Sequence, residues 1–420
     1  MRVAVVGAGI AGLYAARELA SAHEVWLFER APRAGGHACT VEVEEAGRRF
    51  PVDLGFLVYN RRNYPLFSRM LDELGVETAP SSMGFSVEEP ATGFLLSGDR
   101  LASLLARRRN LVDRRFWRVV VGQVRFARAG RRELDAPSGR TLGEFAAAAA
   151  LPPEFVRLYL LPMAGAIWSM PPARCLDFPA AALLAFFRNH GLLTLADRPA
   201  WRTVAGGSRR YVEALVRDLK ELGAKVLLGT GVDRIARPAA GGVELTVGGG
   251  ALGFDRAVVA LHSDQALAAL ADPTPAERAV LGAIRYRDNE VVLHDDRRAL
   301  PRLERAWASW NVRLDDAGAP IGVTYLLNRL QPLPTSTPWC VTLNRTAAID
   351  PARIRHRVVF GHPQFDDAAL AAQARWAEIS GPRDTFYAGA YWRHGFHEDG
   401  AWSGARAAAA VEASAARFAA

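Results

Sequence analysis

Three glycines and one acid near the head of the chain, Gly7, Gly9, Gly12 and Glu29, have the types and spacing of a dinucleotide site. In a GxGxxG the first glycine makes a tight turn, the second lets the backbone approach a pyrophosphate, and the third lets a helix pack closely on a strand. An acid 22 residues beyond Gly7 accepts hydrogen bonds from a ribose. These residues need particular elements to position them, and "RVAVVGAGIAGLYAARELA" reads as a buried strand, a glycine turn and a helix. "EVWLFER" then reads as a second strand ending on Glu29. Strand, turn, helix and answering acid together predict a bound dinucleotide, with the pyrophosphate at the helix N-terminus.

The next segments narrow the choice. "ERAPRAGGHACT" places Arg33, Gly35, Gly36 and His37 after the acid, and "FPVDLGFLVYN" supplies Asp53, Gly55 and Phe56. This resembles the second glycine motif of the large flavoprotein family that includes amine oxidases and phytoene desaturases. That family more often has a further arginine where this chain has His37. "TVAGGSRRYVEALVRDLKELGAKVLLGTGVDRI" looks like the family's middle block, in which the backbone of Val232 would meet the adenine, and "FDRAVVALHS" like a strand returning to the sheet. "FYAGAYWRHGFHEDGAWSGARAA" resembles its C-terminal flavin motif.

The resemblance implies FAD, and the lack of a cysteine near the C-terminal motif predicts that it is held non-covalently. The resemblance carries cofactor contacts onto Gly389, Glu398, Asp399, Gly400, Ala401 and Ser403. The alanine-rich tail from Ala405 predicts a helix, with the Gly400 to Gly404 stretch as the turn ahead of it. The implied fold is α/β: a Rossmann-like FAD-binding domain of the amine oxidase type from 1–80, 200–265 and 380–420. An α+β substrate-binding domain, 81–199 and 266–379, is interleaved with it. "GGVELTVGGGALGFD" predicts a hairpin with glycines at its turn.

The reaction is read from the intervening segments. "LYLLPMAGAIWSMPP", "ALLAFFRNHGLL" and "PIGVTYLLNRLQPLP" are strongly apolar, as a plain core or a greasy substrate pocket would be. Amine oxidases of the family commonly place a lysine near the flavin, whereas the only lysines here are Lys220 and Lys225, in the expected FAD domain. "DLGFLVYNRRNYPLF", "NHGLL", "RPAWRTVAGGSRRYV" and "GFHEDG" look like a bacterial subgroup usually encoded beside cyclopropane fatty acid synthase-like methyltransferases. That subgroup includes the flavin-dependent desaturase of furan fatty acid biosynthesis. The resemblance implies dehydrogenation of a methyl-branched, phospholipid-bound unsaturated acyl chain to a conjugated diene, with hydride passing to flavin N5 and a proton to a base. It also implies a functional link to an S-adenosylmethionine-dependent fatty acyl methyltransferase.

For the base, His190 beside Asn189 is the first candidate and His397 the second. Tyr391, Trp392 and Trp168 are candidates to line the ring face, and Tyr59, Asn60 and Tyr64 the substrate entrance. An amine or amino-acid oxidase, a carotenoid-type desaturase, a double-bond isomerase and a non-enzymatic flavin-binding regulator are the competing classes.

Composition bounds the setting. The formal net charge is +8, and from Arg100 to Arg132 eleven arginines face one acid, Asp113, among Leu, Val, Phe and Trp. Such a stretch suits either a solvated helix face or an anionic bilayer surface. No helix-turn-helix, zinc-finger or RNP pattern points to nucleic acid. Cys39, Cys175 and Cys340 are scattered without metal spacing, which predicts free thiols and no metal site. Charges interrupt every run of about 18 apolar residues, and no leader is evident. A cytoplasmic protein, peripheral on the inner face of the membrane, is the expectation.

Overall fold

The apolar run Arg2–Val6 and the strand Glu24–Phe28 pair in parallel at the centre of a five-stranded sheet. Lys225–Leu227 lies beyond Glu24–Phe28, while Arg256–Val259 and then Thr385–Tyr387 lie on the other side of Arg2–Val6, all parallel. A computed structural model gives this architecture and describes residues 1–98, 107–168, 172–193, 199–314 and 322–416. Central strands of this kind are covered on both faces, which is why Val3, Val5, Val25 and Val258 are fully buried. One face carries the helices Ile10–Ala20, Arg209–Glu221 and His397–Ala416. The other is covered by the hairpin layer Arg234–Ala236, Val243–Val247 and Gly250–Phe254 and by the helices Pro275–Ala283 and Asp367–Ala374.

The expected hairpin closes through Gly248 and Gly249, both at positive φ (56° and 81°). A seven-stranded, mostly antiparallel sheet forms the second layer system, with Ile354–Pro363 at one edge and Phe94–Ser97 at the other. Its strands all come from 81–199 and 266–379. Helices Pro275–Ala283 and Asp367–Ala374 also come from those segments, yet their Val280, Leu281, Ala369 and Ala372 pack with Val259 of the parallel sheet. These segments thus contribute packing to both layer systems.

The terminal helix corrects one expectation. It begins at His397, so Gly400, Ala401, Ser403 and Gly404 are inside it and not in a turn before Ala405. The close approach expected of these glycines is made from within the helix. A Cβ at Gly400 would stand 2.6 Å from the Ile10 side chain, and one at Gly404 would stand 2.3 Å from the Ala11 carbonyl oxygen. Small residues let the last helix lie directly on the first.

Candidate flavin and substrate site

Four chain segments leave the carboxyl ends of the parallel strands and converge on one cavity: Gly7–Ala11 after Val6, Glu29–Ala31 after Phe28, 260–262 after Val259, and 389–391 after Tyr387. This is where open α/β sheets place their ligands. The cavity has a volume of about 1150 Å³ and continues under the seven-stranded sheet. A single drug-sized ligand site commonly occupies about 300–1,000 Å³, so this cavity lies above that range.

The glycine turn fits a pyrophosphate. Gly7 holds φ +102°, and its Cβ would clash with the Ala260 carbonyl; a Cβ on Gly12 would lie 1.9 Å from the Gly7 oxygen. A Cβ on Gly9 would meet no protein atom within 4 Å, because that position opens into the cavity. Gly35 bonds the Ala8 carbonyl through its amide (2.7 Å), and Gly36 stands beside Gly9 at positive φ. Glu29 accepts from the amides of Ala8 and Ala31, each at 2.8 Å, which fixes the carboxylate with acceptor capacity left for hydroxyl groups. Val232 lines the same end, and among the described residues its N–H has no acceptor. These residues fit FAD. Glu29 would take the ribose, Gly9 and Gly36 the pyrophosphate, and Val232 the adenine edge.

Other candidates sit differently. Arg33 turns its guanidinium onto the carbonyls of Gly36 and Ala38 and does not line the cavity. Arg30, which sequence reasoning passed over, does line it at the adenosine end. Gly55 is a close-approach glycine, its Cβ position 2.2 Å from the His37 carbonyl oxygen, while Phe56 faces the cavity. The carboxylate of Glu398 accepts from the amides of Leu66 and Phe67 (3.0 Å each), capping the helix Pro65–Glu73. Asp399 accepts from the amides of His394 and Phe396. Ser403 accepts from the amide of Gly389 at 2.6 Å. Glu398, Asp399, Gly400, Ala401 and Ser403 thus build the terminal helix and its surroundings, and the wall itself is Gly389, Gly395, Phe396 and His397.

His37 belongs to a cluster. Its ring lies 5.5 Å from His362, 6.1 Å from His262 and 4.8 Å from Phe360, all lining the cavity. Burial, reinforced by the neighbouring imidazoles, pushes His37 down to about 3, and His362 is held near 4. Three histidines from residues 37, 262 and 362 come together only through tertiary structure. Of the three, only His37 was singled out by a sequence motif, and its role beside His262 and His362 was not legible there.

Both candidate bases line the cavity. His397 stacks on Phe56 with ring centroids 3.7 Å apart, and its Nε2 lies 2.8 Å from the Tyr211 hydroxyl. Its burial holds it down to about 3, hence neutral. His190 stacks on Phe186 at 3.7 Å, and its Nδ1 lies 2.9 Å from the Phe186 carbonyl oxygen. A carbonyl can only accept, so Nδ1 carries the proton and Nε2 carries a free lone pair. Burial lowers His190 to about 4, again leaving it neutral.

Among the substrate candidates, Tyr391 and Tyr64 line the cavity. Tyr59 is buried against Phe67, Asn60 accepts from the Asn63 amide, and Trp392 is buried behind Tyr391. Asn189 is exposed, its carbonyl accepting from Asn63. These four do not face the cavity; the side chain of Trp168 lies outside the described residues. Missed by the sequence reading were Met83, Phe85, Trp201, Trp310 and Tyr325, which complete an apolar and aromatic wall. They come from loops and strands that no local motif joins.

Residues 10–294, about two thirds of the chain, match the family model described as flavin containing amine oxidoreductase. Among solved structures, a CLA-producing fatty acid isomerase from P. acnes superposes with a TM-score of 0.69 over 98% of each chain, at 17% identity. Cyclohexylamine oxidase from Brevibacterium oxydans gives 0.67 over 98% of each chain, also at 17% identity. At that identity the structures speak for the fold, while the family match speaks for the cofactor. The chain belongs to the flavin containing amine oxidoreductase family and is an FAD-dependent oxidoreductase.

Proposed function

We propose that this enzyme dehydrogenates a methyl-branched, unsaturated fatty acyl chain to a conjugated diene. One observation carries the reading. Away from the adenosine end, marked by Glu29, Arg30 and Asp233, the described lining contains no carboxylate, lysine or arginine, only apolar, aromatic, amide and histidine side chains. An ammonium substrate has no anionic partner on such a wall, whereas an acyl chain gains from every apolar contact. Lys220 and Lys225 are both remote: the first is on the outer face of its helix and the second pairs with Glu24. The similarity of fold to a fatty acid isomerase favours the same substrate class.

Bound FAD would supply the hydride acceptor. The chain's own residues supply the rest. Phe85, Met163, Ile167 and Leu192 exclude water and hold the alkyl chain extended. His190 accepts the allylic proton at Nε2, and the Phe186 carbonyl stabilises the imidazolium through Nδ1. The substrate loses one hydride and one proton, and a double bond forms between the two carbons.

The test is anaerobic mixing of the yellow holoenzyme with methyl-branched unsaturated phospholipids, followed by mass spectrometry of the acyl chains. Bleaching of the flavin band with loss of two hydrogens supports the reading. Bleaching by amines but not by lipids overturns it, and a shifted double bond at unchanged mass replaces it with isomerisation.

A further inference from the structure

We infer that the helix Arg114–Asp135, with the short turn Arg108–Val112 ahead of it, is a docking face for an anionic lipid surface. Nine large apolar side chains are exposed among the described residues, and five of them fall in this one segment: Leu111, Val112, Trp117, Val121 and Val124. Val112 is 82% exposed and Trp117 49%. The clustering is not what an ordinary solvated helix shows.

Periodicity puts the three within the helix on one side. Trp117, Val121, Val124 and Arg128 recur at three- and four-residue steps and so form one stripe. The opposite face, Phe116, Val119, Gly122 and Phe126, is buried in the helical core. Gly122 and Gly130 bring that face close; a Cβ on Gly122 would stand 2.3 Å from Phe155. The inner face is therefore fully used, and the outer apolar stripe is surplus to folding.

The charges beside the stripe are equally unspent. Asp113 takes Arg107 and Arg115, and Glu154 takes Arg118. Arg108, Arg109, Arg114, Arg128 and Arg132 have no ion pair among the described residues. Arginines flanking a Trp- and Val-bearing stripe match a bilayer interface, where the apolar side chains enter the acyl boundary and the guanidinium groups meet phosphates. A second copy is a poor occupant, because a two-fold contact would set this arginine face against itself.

The face is joined to the cavity wall. Gln123 donates from Nε2 to the Leu192 carbonyl at 3.1 Å, and Leu192 lines the cavity. Phe126 packs on Phe187, next to Phe186 of the wall, with ring centroids 5.6 Å apart. A lipid surface on the outer stripe would lie over the wall that carries His190.

Sedimentation of the FAD-loaded protein with vesicles tests this without turnover. Vesicles of phosphatidylcholine with phosphatidylglycerol should carry the protein down at low salt, and phosphatidylcholine alone should not. Arg114→Gln with Arg128→Gln should weaken binding on the order of 25-fold, about fivefold for each arginine. Val112→Glu with Val121→Glu should abolish it, with the flavin spectrum unchanged in both variants. Failure to bind anionic vesicles overturns the inference, as does equal binding by the variants. A dimer that the variants dissolve, or RNA binding without vesicle binding, also overturns it. A protein that binds vesicles but leaves their acyl chains unaltered fails the acyl-chain reading and keeps this one.

Discussion

At the scale of single residues, His190 and His397 differ by one atom's availability. The Nε2 of His397 is engaged with Tyr211, whereas the Nε2 of His190 has no partner among the described residues. His190→Gln should therefore lower turnover by about 100-fold or more with the flavin spectrum and acyl-chain affinity retained. A variant with full turnover would remove His190 from the chemistry. Burial also makes a prediction for pH. His37, His190, His362 and His397 are held near 3 to 4, below the ordinary 6.5. In the unfolded chain each takes up a proton near pH 6.5, and in the folded chain only well below it. Their contribution to stability is thus present above pH 6.5 and lost as pH falls toward about 4. Asp53, raised to about 6, works in the opposite direction over pH 4 to 6, as do Glu398 and Asp399, which burial also raises, but His262 and His294 are lowered too and add to the four. The thermal midpoint should be level above pH 7 and fall steadily from 6.5 to 4, and a flat profile from 7 to 5 would contradict the burial of these rings. The histidines as potential bases were legible in the sequence, but the tautomer of His190 was not, since it depends on a carbonyl one helical turn away.

Elements explain which motifs could be read in advance. The glycine turn is local, so Gly7, Gly9, Gly12 and Glu29 lie in the strand, turn and helix their spacing implied. Their separate roles give a paired test. Gly9→Ala meets no protein atom, so the apoprotein should keep its stability while FAD affinity drops about tenfold or more. Gly12→Ala puts a methyl group on the Gly7 oxygen and should cost about 3 kcal/mol of stability, read as a lower thermal midpoint of the apoprotein. Equal behaviour of the two would mean that Gly9 does not face the cofactor. The start of the terminal helix was misread because Gly400 and Gly404 look like breakers in isolation. Packing against Ile10 and Ala11 is a tertiary advantage that outweighs their intrinsic helix penalty of about 1 kcal/mol each.

At the scale of the whole molecule, the parallel sheet and its ligand edge were legible, while the walls of the substrate cavity were not. Phe85, Met163, Trp310 and Tyr325 come from segments far apart in the chain, and a buried aromatic in a strand looks the same whether it faces a core or a ligand. The two halves are fastened at Asp53. Its carboxylate accepts from Thr40 Oγ1 (2.5 Å), from the Ser208 amide and hydroxyl, and from Gln331 Nε2 (2.8 Å) in the substrate half. An amide there would turn an N–H toward one of these donors. Asp53→Asn should cost about 2 kcal/mol at pH 7, visible in chemical denaturation, and an unchanged midpoint would show that the fastening is dispensable. The packing of Gly404 against Ala11 has a consequence in time. The floor of the cofactor site is translated first, but the helix that closes it is translated roughly 390 residues later, about 20 to 80 s at the pace of a ribosome. The nascent chain carries an open glycine turn and an uncovered first helix for that whole interval, so the site is completed only when the last helix docks.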